Sequence, residues 1–123
     1  MMILKQNKGP NTQQAILMSI YAFTDGHTEK KYKGHNECCG AQIVEIIQYC
    51  IFKKIHKRAI YYPITQLCIN GLIEESNRDT EHESHVNGFG QRRFFKLTKT
   101  GTMQAEVLWE QFSHLYSPEF CPI

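Results

Sequence analysis

Apolar positions fall into blocks along this chain, and their spacing predicts the elements. Over 12–23 nearly every turn is apolar. Ala15, Ile16, Leu17, Met18, Ile20, Tyr21 and Phe23 leave almost no polar face, which predicts a helix buried on more than one side. Lys8-Gly9-Pro10-Asn11 leads into it, with Asn11 or Thr12 as the N-cap. Residues 24–40 are polar, contain glycine and carry both charges, and read as a loop. Ile43, Ile46, Ile47, Cys50 and Ile51 then recur at helical spacing, giving a second helix over 41–52 with one apolar face.

Residues 53–58 connect to a third helix carrying Ile60, Ile64, Leu67 and Ile69. Pro63 has no N–H and clashes with the carbonyl four residues back, so it fits only a first turn. The third helix therefore cannot begin much before Ala59. Gly71 is placed to end it as the C′ residue. Two short segments, 72–76 and 93–97, pair as an antiparallel hairpin. The polar stretch 77–92 lies between them, with Asn87-Gly88 and Gly90 as turn residues. Thr98 caps a final helix with Gly101 in its first turn. Ala105, Leu108, Phe112 and Leu115 form one stripe on that helix, Val107, Trp109 and Tyr116 spill onto another face, and Ser117-Pro118 ends it.

The 123 residues suffice for one domain with a single core, and 41% apolar content lets it fold without staples. The organisation expected is a flexible arm over 1–11, one domain over 12–116 and a tail over 117–123. Five cysteines are an odd number, and the start, MMILKQNKGP, lacks a long apolar region. Reduced thiols and a cytoplasmic location are expected. No apolar run approaches the ~20 residues that span a bilayer, so no membrane association is expected.

Cys38-Cys39 with His27 and His35 invites a metal reading. Adjacent cysteines chelate one tetrahedral ion poorly and no C-x-x-C is present, so no metal and no cofactor are expected. Cys50 and Cys68 fall on helical apolar faces, where a thiol acts as a small hydrophobe. Neither a phosphate-cradling glycine motif nor a recognisable nucleophile motif is present, and the chain reads as a non-enzyme.

A net charge of +2 says little; the placement of the charges says more. Lys53, Lys54, Lys57 and Arg58 lead into the third helix. Arg92, Arg93, Lys96 and Lys99 lie on or beside the second strand. Cations near phosphates supply most affinity for duplex DNA, although charge runs are usually solvated surface. Thr65 and Gln66 can reach a groove edge, glutamine pairing with adenine through both amide atoms. Tyr61 and Tyr62 are about 100° apart on a helix, so one faces inward and Tyr62 is the more exposed. Asp79, Glu81 and Glu83 make the hairpin tip acidic, with His82 and His85 among them. An acidic tip opposes entry into a groove.

Taken together, Gly71-Leu72-Ile73, Tyr61, Leu67 and the run Arg92-Arg93-Phe94-Phe95-Lys96-Leu97-Thr98-Lys99-Thr100-Gly101 resemble the winged helix-turn-helix transcriptional regulators of the PadR-like and MarR-like groups. The likeness covers roughly 57–112. It departs from the pattern at Pro63, one place late, and in the long segment 24–40. The resemblance implies a mainly α domain with a small β-hairpin, a winged helix with N- and C-terminal helices for dimerisation. It also implies a repressor that reads double-stranded DNA as a homodimer. Ile16, Leu17, Ile20, Leu108, Trp109 and Phe112 are the apolar residues expected at the dimer face. The rival expectation is a winged helix that docks on protein, or a replication accessory of viral or plasmid origin, which the modest charge and acidic tip favour.

Overall fold

The computed structural model describes residues 9–24, 37–51, 53–75 and 93–116. The fold is mainly helical with a small antiparallel sheet. Its order is α1 (Thr12–Thr24), β1 (Cys38–Cys39), α2 (Gly40–Cys50), a 3-10 turn (Lys57–Ile60), α3 (Tyr61–Ile69), β2 (Ile73–Glu75), β3 (Phe94–Leu97), α4 (Lys99–Phe112) and a closing 3-10 turn (Ser113–Leu115).

The cap of α1 is Asn11. Its Oδ1 accepts from Gln14 N–H at 2.9 Å while its own N–H donates to Gln14 Oε1 at 2.8 Å. This reciprocal pair satisfies donors that the first turn leaves orphaned. From there α1 runs through the middle of the molecule and packs against α2, α3, α4, β1 and β3. Ala15, Ile16, Leu17, Met18, Ile20, Ala22 and Phe23 are all buried. Burying each large side chain contributes roughly 1.5–3 kcal/mol. The all-round apolar pattern of this helix is thus answered within one chain. Ser19 is also buried, and its hydroxyl donates to the Ala15 carbonyl at 2.8 Å.

Sequence periodicity missed one strand. Cys38 and Cys39, expected in a loop, form β1 and pair with Phe95 and Phe94. A two-residue strand has no readable period. It forms because the edge of β3 facing away from β2 needs a partner for its backbone groups. The sheet order is β1-β3-β2, with Ile73 opposite Leu97, Glu74 opposite Lys96 and Glu75 opposite Phe95. The strand leads directly into α2, whose first turn is fixed by Cys39 N–H donating to Gln42 Oε1 at 3.0 Å. Ile43, Ile46, Ile47 and Cys50 of α2 are buried. That helix ends at Cys50, two residues before the boundary expected from the sequence.

α3 begins at Tyr61 behind a 3-10 turn, which places Pro63 in its first turn as its chemistry requires. Its end is a Schellman motif. Gly71 N–H donates to the Cys68 carbonyl and Leu72 N–H to the Leu67 carbonyl, both at 3.0 Å, with Gly71 at φ +76°. The strand that follows is held by Thr98. Its hydroxyl donates to the Gly71 carbonyl at 2.7 Å and accepts from Gly101 N–H at 2.9 Å, capping α4. Gly101 sits so close to the Leu72 carbonyl that an added Cβ would lie 1.8 Å from its oxygen. The Leu-Thr-x-x-Gly run is therefore a physical clamp, in which α4 starts against the turn that ends α3.

Among the described residues, no helix is long and apolar enough to cross a membrane.

Candidate nucleic-acid interface

α3 carries no ionisable group except the tyrosine hydroxyls of Tyr61 and Tyr62 and the thiol of Cys68. Ile64 and Leu67 turn inward and are buried, while Tyr62, Thr65 and Ile69 lie on the open side. Tyr62 is 73% exposed and Tyr61 39%. The difference has a cause in packing. A methyl group at Gly40 would come within 2.8 Å of Tyr61 Oη, so the Tyr61 ring rests on the first turn of α2. Thr65 Oγ1 donates to the Tyr61 carbonyl at 2.9 Å, which fixes its rotamer and leaves its lone pairs outward. Gln66 is half-buried beside it.

The basic lead-in runs along the connection from α2 to this helix, with Lys57 and Arg58 in the 3-10 turn directly before it. Lys54, Lys57 and Arg58 are exposed and Lys53 is half-buried. Among the described residues none of the four makes an ion pair. His56 fixes the turn there, its Nδ1 accepting from Arg58 N–H at 3.3 Å.

The cations on β3 and immediately before it behave differently. The Arg93 guanidinium makes a two-pronged bond to Glu75, with both N–H···O distances 3.0 Å. It also lies 5.8 Å from the Tyr61 ring centre and 5.3 Å from that of Phe95. The hydrogen bond from Arg93 holds the Glu75 carboxyl below its ordinary range and raises the guanidinium further. Burial pushes the nearby Cys68 thiol up, and the Glu75 charge adds to that. Lys96 lies 3.8 Å from the Glu74 carboxylate. Arg93 and Lys96 are thus both partly neutralised by the strand opposite, a pairing dictated by the β2–β3 register. Arg92, the acidic tip with His82 and His85, and residues 76–92 in general lie outside the described residues.

The residues expected at a dimer face need correcting. Ile16, Leu17, Ile20, Leu108 and Phe112 are buried within one chain, because α1 and α4 cover each other. Trp109 is half-buried and packs between Tyr21 (ring centres 5.6 Å) and Tyr116 (4.9 Å). The apolar side chains that α4 leaves open are Met103 and Val107.

The described cysteines are Cys38, Cys39, Cys50 and Cys68, and no disulfide joins any two of them. No group of three or more metal-ligating side chains gathers among the described residues; His27, His35 and Cys121 lie outside them.

A concavity of about 550 Å³ opens where α2 meets the connection, lined by Gln48, Tyr49, Lys53, Lys54, Ile55 and His56. The sequence reading named the two lysines of this group and missed Tyr49. Its signal was available, as an aromatic residue on the polar side of an amphipathic helix next to a lysine pair. No family model matches the chain, and no curated protein or solved structure matches it either.

Proposed function

We propose that this protein is a winged helix-turn-helix regulator that binds double-stranded DNA, with α2 and α3 as the helix-turn-helix and β2–β3 as the wing. The observation that carries it is the pairing of a basic edge that makes no ion pair among the described residues with an uncharged, hydrogen-bonding helix face. Lys57 and Arg58 lie in the 3-10 turn directly before α3, and Lys53 and Lys54 precede them in the connection from α2. Tyr62, Thr65 and Gln66 follow on the open or half-open side of α3. Phosphate contacts position a protein on DNA and base-edge contacts give sequence preference; these two groups supply one each. The element order and the sheet order β1-β3-β2 support the winged arrangement. Arg93 and Lys96 join the DNA surface only when they leave Glu75 and Glu74. The regulator acts as a repressor in the cytoplasm, by occupying its site, and needs no chemistry of its own.

The test is selection from a random duplex pool. Wild type is expected to enrich one motif, and Thr65→Ala/Gln66→Ala to bind with relaxed preference, losing about 1–3 kcal/mol of discrimination at one base pair. Failure to enrich any motif counts against sequence reading by α3.

A second reading, docking on a protein, is favoured by one observation. Tyr62 and Ile69, seven residues apart on α3, are both more than two-thirds exposed, and Arg93 and Lys96 are already paired.

A further inference from the structure

We propose that the concavity at the end of α2 is a nucleotide-binding site, holding a base against Tyr49 and its phosphate on Lys53, Lys54 and His56. Its volume of about 550 Å³ falls within the range of small-ligand pockets, roughly 300–1,000 Å³. Among the described residues no carboxylate lines it and neither lysine makes an ion pair, so the site favours anions. Two ammonium groups on adjacent residues suit a phosphate, which spreads its charge over several acceptor oxygens.

The lining offers an aromatic ring and an apolar side chain that a bare inorganic ion would leave unused. Tyr49 presents its ring at 48% exposure although nothing in the core needs it. Ile55 packs against the core cluster and closes the apolar side. An aromatic face beside cations is the general means of holding an unpaired base and its backbone.

The shape is pre-set by the chain. Gln48 Nε2 donates to the Ile55 carbonyl at 2.8 Å, bridging helix and connection. Lys53 N–H donates to the Ile47 carbonyl at 3.1 Å. Because His56 Nδ1 accepts from Arg58 N–H, the neutral imidazole carries its proton on Nε2. That leaves His56 a donor, as a phosphate requires. The nucleotide comes either free or as one unit of a single strand, and both offer the same base and phosphate.

This site goes beyond duplex recognition by α3 and does not rest on it. The full chain is titrated with dTMP, thymidine, inorganic phosphate and a short oligothymidylate, following the Tyr49 ring and His56 imidazole resonances by NMR. We expect dTMP to move both sets, with thymidine and phosphate each far weaker. Tyr49→Ala should weaken dTMP about tenfold and Tyr49→Phe should restore it. Lys53→Gln/Lys54→Gln should remove the salt dependence. Tighter binding of the oligothymidylate than of dTMP assigns the site to a single strand; equal binding assigns it to the free nucleotide. Phosphate binding as tightly as dTMP, no movement of the Tyr49 ring, or an unaltered Tyr49→Ala affinity would overturn it. Duplex binding serves as the separating control. Lys57→Ala/Arg58→Ala should weaken duplex binding and keep dTMP, and Tyr49→Ala should weaken dTMP and keep duplex.

Discussion

Thr98 and Gly101 show how two side-chain choices hold three elements together. The Thr98 hydroxyl joins the end of α3 to the start of α4, and the missing side chain of Gly101 lets the helix approach the Leu72 carbonyl. Thr98→Ala is expected to lose about 1 kcal/mol, as for other N-caps, and Thr98→Ser to keep most of it. Gly101→Ala must move backbone and is expected to cost about 1–3 kcal/mol or more. Denaturant unfolding midpoints of the three variants check this, and a neutral Gly101→Ala would contradict the close approach. Arg93 and Glu75 form a different kind of contact. Their side chains are 44% and 42% exposed, so solvent screens the pair and its stability contribution is at most about 1 kcal/mol. Since the folded Glu75 carboxyl titrates below its ordinary value, that contribution is present above the ordinary carboxylate range. It is lost as pH falls through the lowered value. Its larger effect is on availability. Glu75→Gln is expected to free Arg93 and steepen the salt dependence of duplex binding by about 0.9 in log–log slope. An unchanged slope would mean that Arg93 stays off the DNA.

At the scale of elements, α3 is where the two functional readings part. Its N-terminal residues would meet base edges in a major groove, as in helix-turn-helix docking, while Ile69 at its other end would not. Tyr62→Ala is therefore expected to weaken duplex binding and Ile69→Ala to leave it unchanged, both measured by anisotropy on the same labelled duplex. Equal losses would favour a protein-docking face spanning the helix. The boundaries of α3 were legible in the sequence because Pro63 and Gly71 each permit few backbone positions. The start of α4 was legible from Thr98 and Gly101 for the same reason. β1 was not legible, since two residues carry no period and its partner lies more than fifty positions away. Nor was the neutralisation of Arg93 and Lys96, which depends on the β2–β3 register rather than on composition. The basic clusters looked alike in sequence, yet among the described residues the lead-in to α3 makes no ion pair while Arg93 and Lys96 do.

For the whole molecule, the excess apolar surface of the first and last helices has a plain explanation. α1 is the central element, and α2, α3, α4 and the sheet pack around it. Ile16, Leu17, Ile20, Leu108 and Phe112, read as an interface with a second copy, are instead buried in the core of one, with Trp109 half-buried against it. Among the described residues, the fold leaves outward the uncharged face of α3, the basic connection before it and the Tyr49 concavity. None of these is explained by stability. The measurement that tests duplex recognition most directly is a salt titration of binding to mixed-sequence duplex DNA, with wild type beside Lys57→Ala/Arg58→Ala. The account predicts binding that falls steeply with salt, and a slope about 1.8 smaller for the double substitution, about 0.9 for each phosphate contact removed. Absence of binding at low salt, or the same slope in both proteins, would contradict it.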